Sequence, residues 1–76
     1  MERFYFDLYN TDETHLDRDG QFLHGRDRAG VEALRILHDV ARDEMPVGDH
    51  LKLTVKVRDE KRQIFEASLT LDSAWS

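Results

Sequence analysis

Leu51, Leu53, Val55 and Val57 alternate with Lys52, Thr54, Lys56 and Arg58. After the polar turn Asp59-Glu60-Lys61-Arg62, a second run places Phe65, Ala67, Leu69 and Leu71 between Glu66, Ser68, Thr70 and Asp72. A period of two is the repeat of a strand with one apolar and one wet face. Two such runs joined by a short turn predict an antiparallel hairpin, and that hairpin must lay its apolar face on something. Residues 28–44 can cover it. There Gly30, Ala33, Leu34, Leu37, Val40 and Ala41 recur at spacings of three and four, the stripe of an amphipathic helix. Glu32, Arg35, Asp39, Arg42 and Asp43 point away, with Glu32–Arg35 and Asp39–Arg42 spaced to pair. Asp27 is placed as the N-cap. Met45, before Pro46, is pushed out of the helical region, and Val47-Gly48-Asp49 turns the chain back. Gly30 lowers helix propensity by about 1 kcal/mol against Ala; close packing on the sheet would account for it.

The chain opens on another strand. Phe4, Phe6 and Leu8 share one face of residues 3–9, and Tyr5, Asp7 and Tyr9 share the other. Asn10-Thr11-Asp12-Glu13 reads as a polar turn. Asp17-Arg18-Asp19-Gly20 then predicts a small bulged hairpin with Gly20 in the left-handed region, pairing Asp17 with Gln21 and Leu16 with Phe22. The expected order is strand, small hairpin, helix, strand, strand. This is an α+β fold: one helix on one face of a mainly antiparallel sheet of three or four strands. The expected core is Phe4, Phe6, Leu8, Leu34, Leu37, Val40, Ala41, Leu53, Val55, Val57, Phe65, Ala67, Leu69 and Leu71. Residues 73–76 form a short frayed tail that carries Trp75.

Seventy-six residues suffice for one small domain. With 39% hydrophobic and 36% charged residues its core is thin, and no cysteine is present to staple it. Self-association is the expected remedy. The lack of cysteine excludes disulfides, thiolate catalysis and cysteine-ligated zinc. No apolar run approaches the roughly 20 residues that span a bilayer. Met1-Glu2-Arg3-Phe4 has no signal-peptide character, so a cytoplasmic location without membrane contact is expected. The net charge of −5 is concentrated early: residues 1–25 hold two basic and six acidic side chains, whereas residues 47–76 hold five of each. A general phosphate binder would show the opposite bias.

Arg3-Phe4-Tyr5-Phe6-Asp7-Leu8, the turn Asp17–Gly20, Glu32-Ala33-Leu34 and the stretch from Ala41 through Asp49 together resemble a family of short uncharacterised proteins, a domain of unknown function common in rhizobia and related alphaproteobacteria. The resemblance runs from residue 3 to about residue 71. It implies a bacterial, intracellular, stand-alone domain and transfers no functional residue. Asp17–Gly20 and Glu32-Ala33-Leu34 are also similar to the acidic hairpin and helix of HicB-type antitoxin domains. The chain departs from that type in lacking the proline-rich segment after the hairpin and an appended DNA-binding region.

The residues themselves offer little chemistry. His15, His24, His38 and His50 form no metal-ligand pattern on one helix face. His15 and His24 flank the acidic hairpin, where solvated loop residues are the plainer reading. Asp17-x-Asp19-Gly20 begins like a calcium loop, yet an EF-hand counted from Asp17 would need glycine and a carboxylate where Phe22 and Arg28 stand. There is no phosphate loop and no nucleophile motif. The expectation is a non-enzyme without cofactor or metal. The sheet face away from the helix is the most informative surface. It is expected to display Tyr5, Asp7, Tyr9, Lys52, Thr54, Lys56, Arg58, Ile64, Glu66, Ser68 and Thr70. Of these, Tyr5, Tyr9, Lys52, Lys56, Arg58 and Ile64 are the candidate interaction residues. Three readings stay open: a solvated face, a contact with another copy or an unknown protein partner, and a platform for nucleic acid, with tyrosines to stack on bases and cations for phosphates.

Overall fold

The structure is a computed structural model and describes residues 1–11, 13–43 and 50–76. The helix end at Glu44, the stop at Met45-Pro46, the turn Val47–Asp49 and Asp12 lie outside the described residues. In chain order the elements are β1 (Glu2–Tyr9), β2 (Thr14–His15), β3 (Gln21–Leu23), α1 (Arg26–Asp43), β4 (His50–Arg58) and β5 (Gln63–Asp72). All strand pairings are antiparallel, in the order β2-β1-β4-β5, with β3 beside β1 on the same edge as β2. The architecture is α+β, one helix on one face of the sheet, as the hydrophobic periods require.

The C-terminal hairpin forms as expected, with pairs running from His50↔Asp72 to Val57↔Phe65. Its turn is closed by Asp59, whose Oδ1 accepts the N–H groups of Lys61 at 2.7 Å and Arg62 at 2.9 Å. An aspartate side chain that bonds its own backbone two and three residues on holds such a turn without glycine. The helix starts two residues earlier than its apolar stripe predicts. Gly25, at φ 94°, precedes it, and the Gly25 carbonyl accepts the Ala29 N–H. Asp27 therefore lies in the first turn, where its charge complements the helix dipole. The outer face carries the expected pairs Glu32–Arg35 and Asp39–Arg42, and Arg35 also bonds Asp39.

The predicted hairpin at Asp17–Gly20 does not form. β2 and β3 do not pair with each other; both pair with β1, β2 opposite Leu8 and Tyr9, β3 opposite Glu2 to Phe4. They are two pieces of one edge, broken by residues 16–20. Local turn chemistry allowed a hairpin, but β1 offers each piece a longer partner. Leu16 and Phe22 are accordingly exposed rather than packed together. Gly20 does take the left-handed conformation, at φ 73°.

The core is Phe4, Phe6, Ala29, Ala33, Leu37, Leu51, Leu53, Val55 and Val57, with Leu8, Val40, Ala41 and Ala67 packed against it. Each large side chain fully buried there contributes roughly 1.5–3 kcal/mol. Four expected core members are not buried: Leu34, Phe65, Leu69 and Leu71 remain exposed on the side of the helix. A helix about 10 Å across covers about two strands spaced ~4.8 Å apart. This one lies over β4 and the adjoining part of β5, and the sheet is wider than that.

Candidate interaction faces

Two surfaces meet the description of a site. The first is the open sheet face, built on the pairing of β1 with β4. Tyr5 lies opposite Arg58, Asp7 opposite Lys56 and Tyr9 opposite Thr54. The Arg58 guanidinium sits over the Tyr5 ring, 4.4 Å from its centroid, and the Lys56 ammonium over Tyr9 at 4.8 Å. Such cation–π contacts are worth about 0.5–1 kcal/mol at exposed sites. Thr54 and Ser68 bond across the next strand pair at 2.9 Å. Lys52 is exposed farther along β4. The structure thus brings Tyr5, Tyr9, Lys56 and Arg58 together and spends their groups on one another.

Ile64 is not with them. Gln63 pairs with Arg58 and Phe65 with Val57, so a bulge leaves Ile64 as the extra residue and reverses its expected face. Its side chain packs against the core.

At one end of the open face lies a polar network that the sequence reading did not identify. Across the break between β2 and β3, residues 16–20 stand opposite only three residues of β1, and a regular ladder is lost. Asp17 replaces it. One carboxylate oxygen accepts the Phe6 N–H at 3.1 Å, and the other accepts those of Asp19 at 3.1 Å and Gly20 at 3.0 Å. The Asp17 N–H donates to Asp7 at 2.9 Å. Arg58 then ties the break to β4, donating to the Asp7 carboxylate at 2.9 Å and to the Asp17 carbonyl at 2.8 Å. Asp7 is only 5% exposed, and these donors account for both of its oxygens. Burial pushes the Asp17 carboxyl up, but the N–H groups of Gly20, Phe6 and Asp19 and the charge of Arg58 outweigh it, holding Asp17 below the ordinary aspartate range. The one legible signal was the Asp-x-x-Gly spacing, which fits a side-chain-closed turn as well as a hairpin.

The second surface is apolar. Phe65, Leu69 and Leu71 on β5 and Val31 and Leu34 on the helix flank are 36–64% exposed. Between the first half of α1 and the start of β5, Val31, Leu34 and Phe65 border an open groove of about 560 Å³, whose lining also includes Arg26, Asp27, Gly30 and Ile64. Trp75 stands fully in solvent beyond β5.

Around the acidic turn, His15 bonds Glu13 at 3.0 Å. Among the described residues no group of three or more His, Cys, Asp or Glu side chains is placed to hold a metal ion, and no helix is long and apolar enough to cross a membrane. No curated protein and no solved structure matches this chain. One family model, that of a domain of unknown function, DUF6894, matches residues 3–70; the chain belongs to that family.

Proposed function

We propose that this chain is a non-enzymatic protein-interaction domain that self-associates in the cytoplasm. The observation that carries the reading is the stripe of Phe65, Leu69 and Leu71: core-type residues, on the core side of the sheet, left in contact with water. Exposed apolar residues that adjoin one another, rather than being scattered singly, are the feature that marks interaction surfaces. The thin core points the same way, since burial against a partner would add what one copy lacks. The acidic groups do not argue for catalysis. Asp7 and Asp17 are engaged as acceptors of structural hydrogen bonds, and the one carboxylate among the described residues that line the groove is Asp27, with no second acid–base group beside it there.

The alternative is a nucleic-acid-associated or antitoxin-like regulator using the open face. It has less support. Tyr5 and Tyr9 already carry cations over their rings, Arg58 is bonded to Asp7, and the net charge is −5. Light scattering after size exclusion decides the main reading. It should report at least twice the 8.9 kDa chain mass. A strictly monomeric chain at about 100 µM, far above a micromolar Kd, would overturn it.

A further inference from the structure

The two edges of the sheet differ. One is formed by β2 and β3, of two and three residues, interrupted by the break at residues 16–20. Short and irregular edges resist pairing with another chain. The other edge is β5, ten residues long, without proline, lysine or arginine. Its two charges, Glu66 and Asp72, alternate with the apolar residues and so lie on the face away from the helix. Among the described residues no strand pairs with its outer side.

Among the described residues, the last pair of β5 with β4 is His50↔Asp72. Beyond it, Trp75 keeps the odd-numbered parity of Phe65, Ala67, Leu69 and Leu71. A polar residue would serve a solvated tail, yet the only tryptophan of the chain stands there, fully exposed.

Resting on the self-association reading, we infer that two copies join by antiparallel pairing of their β5 edges about a two-fold axis at Thr70, with Trp75 of each copy seated against Phe65 of the other. In this register Leu69 faces Leu71 of the second copy and Phe65 faces Trp75, all on the helix side. On the open side Thr70 meets Thr70, Glu66 meets Ala74, and Asp72 meets Ser68. No like charges oppose, and aromatic and Thr–Thr cross-strand pairs are favourable ones. A register displaced by one residue would set the apolar stripe against the polar face. The pairing extends β5 through residues 73–76. It also brings the indole to the Phe65 groove, where Arg26 stands at the rim to stack on it. Because the β2–β3 edge is broken, the assembly closes at two copies and does not propagate.

The single tryptophan makes the test direct. Full-length protein is diluted through the dimer–monomer transition while sedimentation gives mass and fluorescence reports Trp75. Emission should be blue-shifted in the dimer and shift red in step with dissociation. Trp75→Ala alters a fully exposed side chain, so it should leave the fold intact by circular dichroism and weaken association at least tenfold. Leu71→Lys adds an edge charge and should yield monomer, whereas Lys56→Ala on the open face should associate like the wild type. A dimer whose Trp75 emission is water-exposed and unchanged on dilution, or in which Trp75→Ala associates as tightly as wild type, overturns the β5 interface and leaves self-association standing. A monomer at every concentration overturns both.

Discussion

Replacing Asp17 with alanine tests whether one carboxylate holds the broken edge together. The substitution removes the acceptor of three backbone N–H groups, those of Phe6, Asp19 and Gly20. Phe6 is a buried residue, and a buried donor left unsatisfied costs about 1–3 kcal/mol. Asp19 and Gly20 lie at a turn nearer solvent, where losing the acceptor resembles losing an N-cap, about 1 kcal/mol. Asp17 is partly exposed, so its charge adds little beyond these bonds. The expected total is about 3 kcal/mol, a large share of the roughly 4–11 kcal/mol that a chain of 76 residues holds. With a urea slope of about 1 kcal/mol/M, the midpoint should fall by roughly 2–3 M with the slope unchanged. Asp17→Asn keeps one acceptor oxygen and loses the charge, so it should fall between. The pH dependence gives an independent reading. The folded carboxyl titrates below its unfolded value, about 3.9. The unfolded chain therefore binds the proton first. The contribution of Asp17 is fully present above the unfolded value and is lost as pH falls through the folded one. Wild type should lose stability through that window more steeply than Asp17→Asn. A midpoint shift below about 0.5 M for Asp17→Ala, or identical acid profiles for wild type and Asp17→Asn, would refute the bonding scheme.

Three further outcomes follow from the same geometry. A Cβ at Gly20 would lie 2.9 Å from the Phe4 carbonyl oxygen, at φ 73°, so Gly20→Ala should destabilise by about 2 kcal/mol or more in urea unfolding. Gly30→Ala should do the opposite. A Cβ there meets the Phe65 ring at an ordinary 3.7 Å, so packing does not require the glycine, and thermal unfolding should show a gain of about 0.5–1 kcal/mol. Arg58→Ala leaves the buried Asp7 charge without its cation and should cost about 2–3 kcal/mol by the same measurement. Arg58→Lys should recover less than half, because one ammonium cannot reach the Asp7 carboxylate and the Asp17 carbonyl as the guanidinium fork does.

The readings that failed share a cause. Period-two alternation assigned Ile64 to the open face, and one bulge between Arg58 and Val57 moved it to the core side. Asp17–Gly20 met every local requirement of a hairpin, and β1 outcompeted it because long-range pairing offers both pieces a partner that neither can supply to the other. Arg58 and Asp7 were visible as charges on a face, but their bond spans 51 positions and joins a third element at Asp17. No local pattern encodes such a contact.

Hydrophobic period, turn residues and charge spacing by themselves determined the elements of this protein: the strand at residues 3–9, the amphipathic helix, the C-terminal hairpin and the left-handed glycine at position 20. These are properties of neighbours a few residues apart, which is the range over which sequence acts directly. Which face of β5 would be covered was decided only in the tertiary structure. Alternation states that Phe65, Leu69 and Leu71 share one side; it does not state how wide the helix is or where it lies. One helix reaches over β4 and the adjoining part of β5 and leaves that stripe uncovered at an unguarded edge. The residues that looked most like core are therefore the ones on which the proposed function rests.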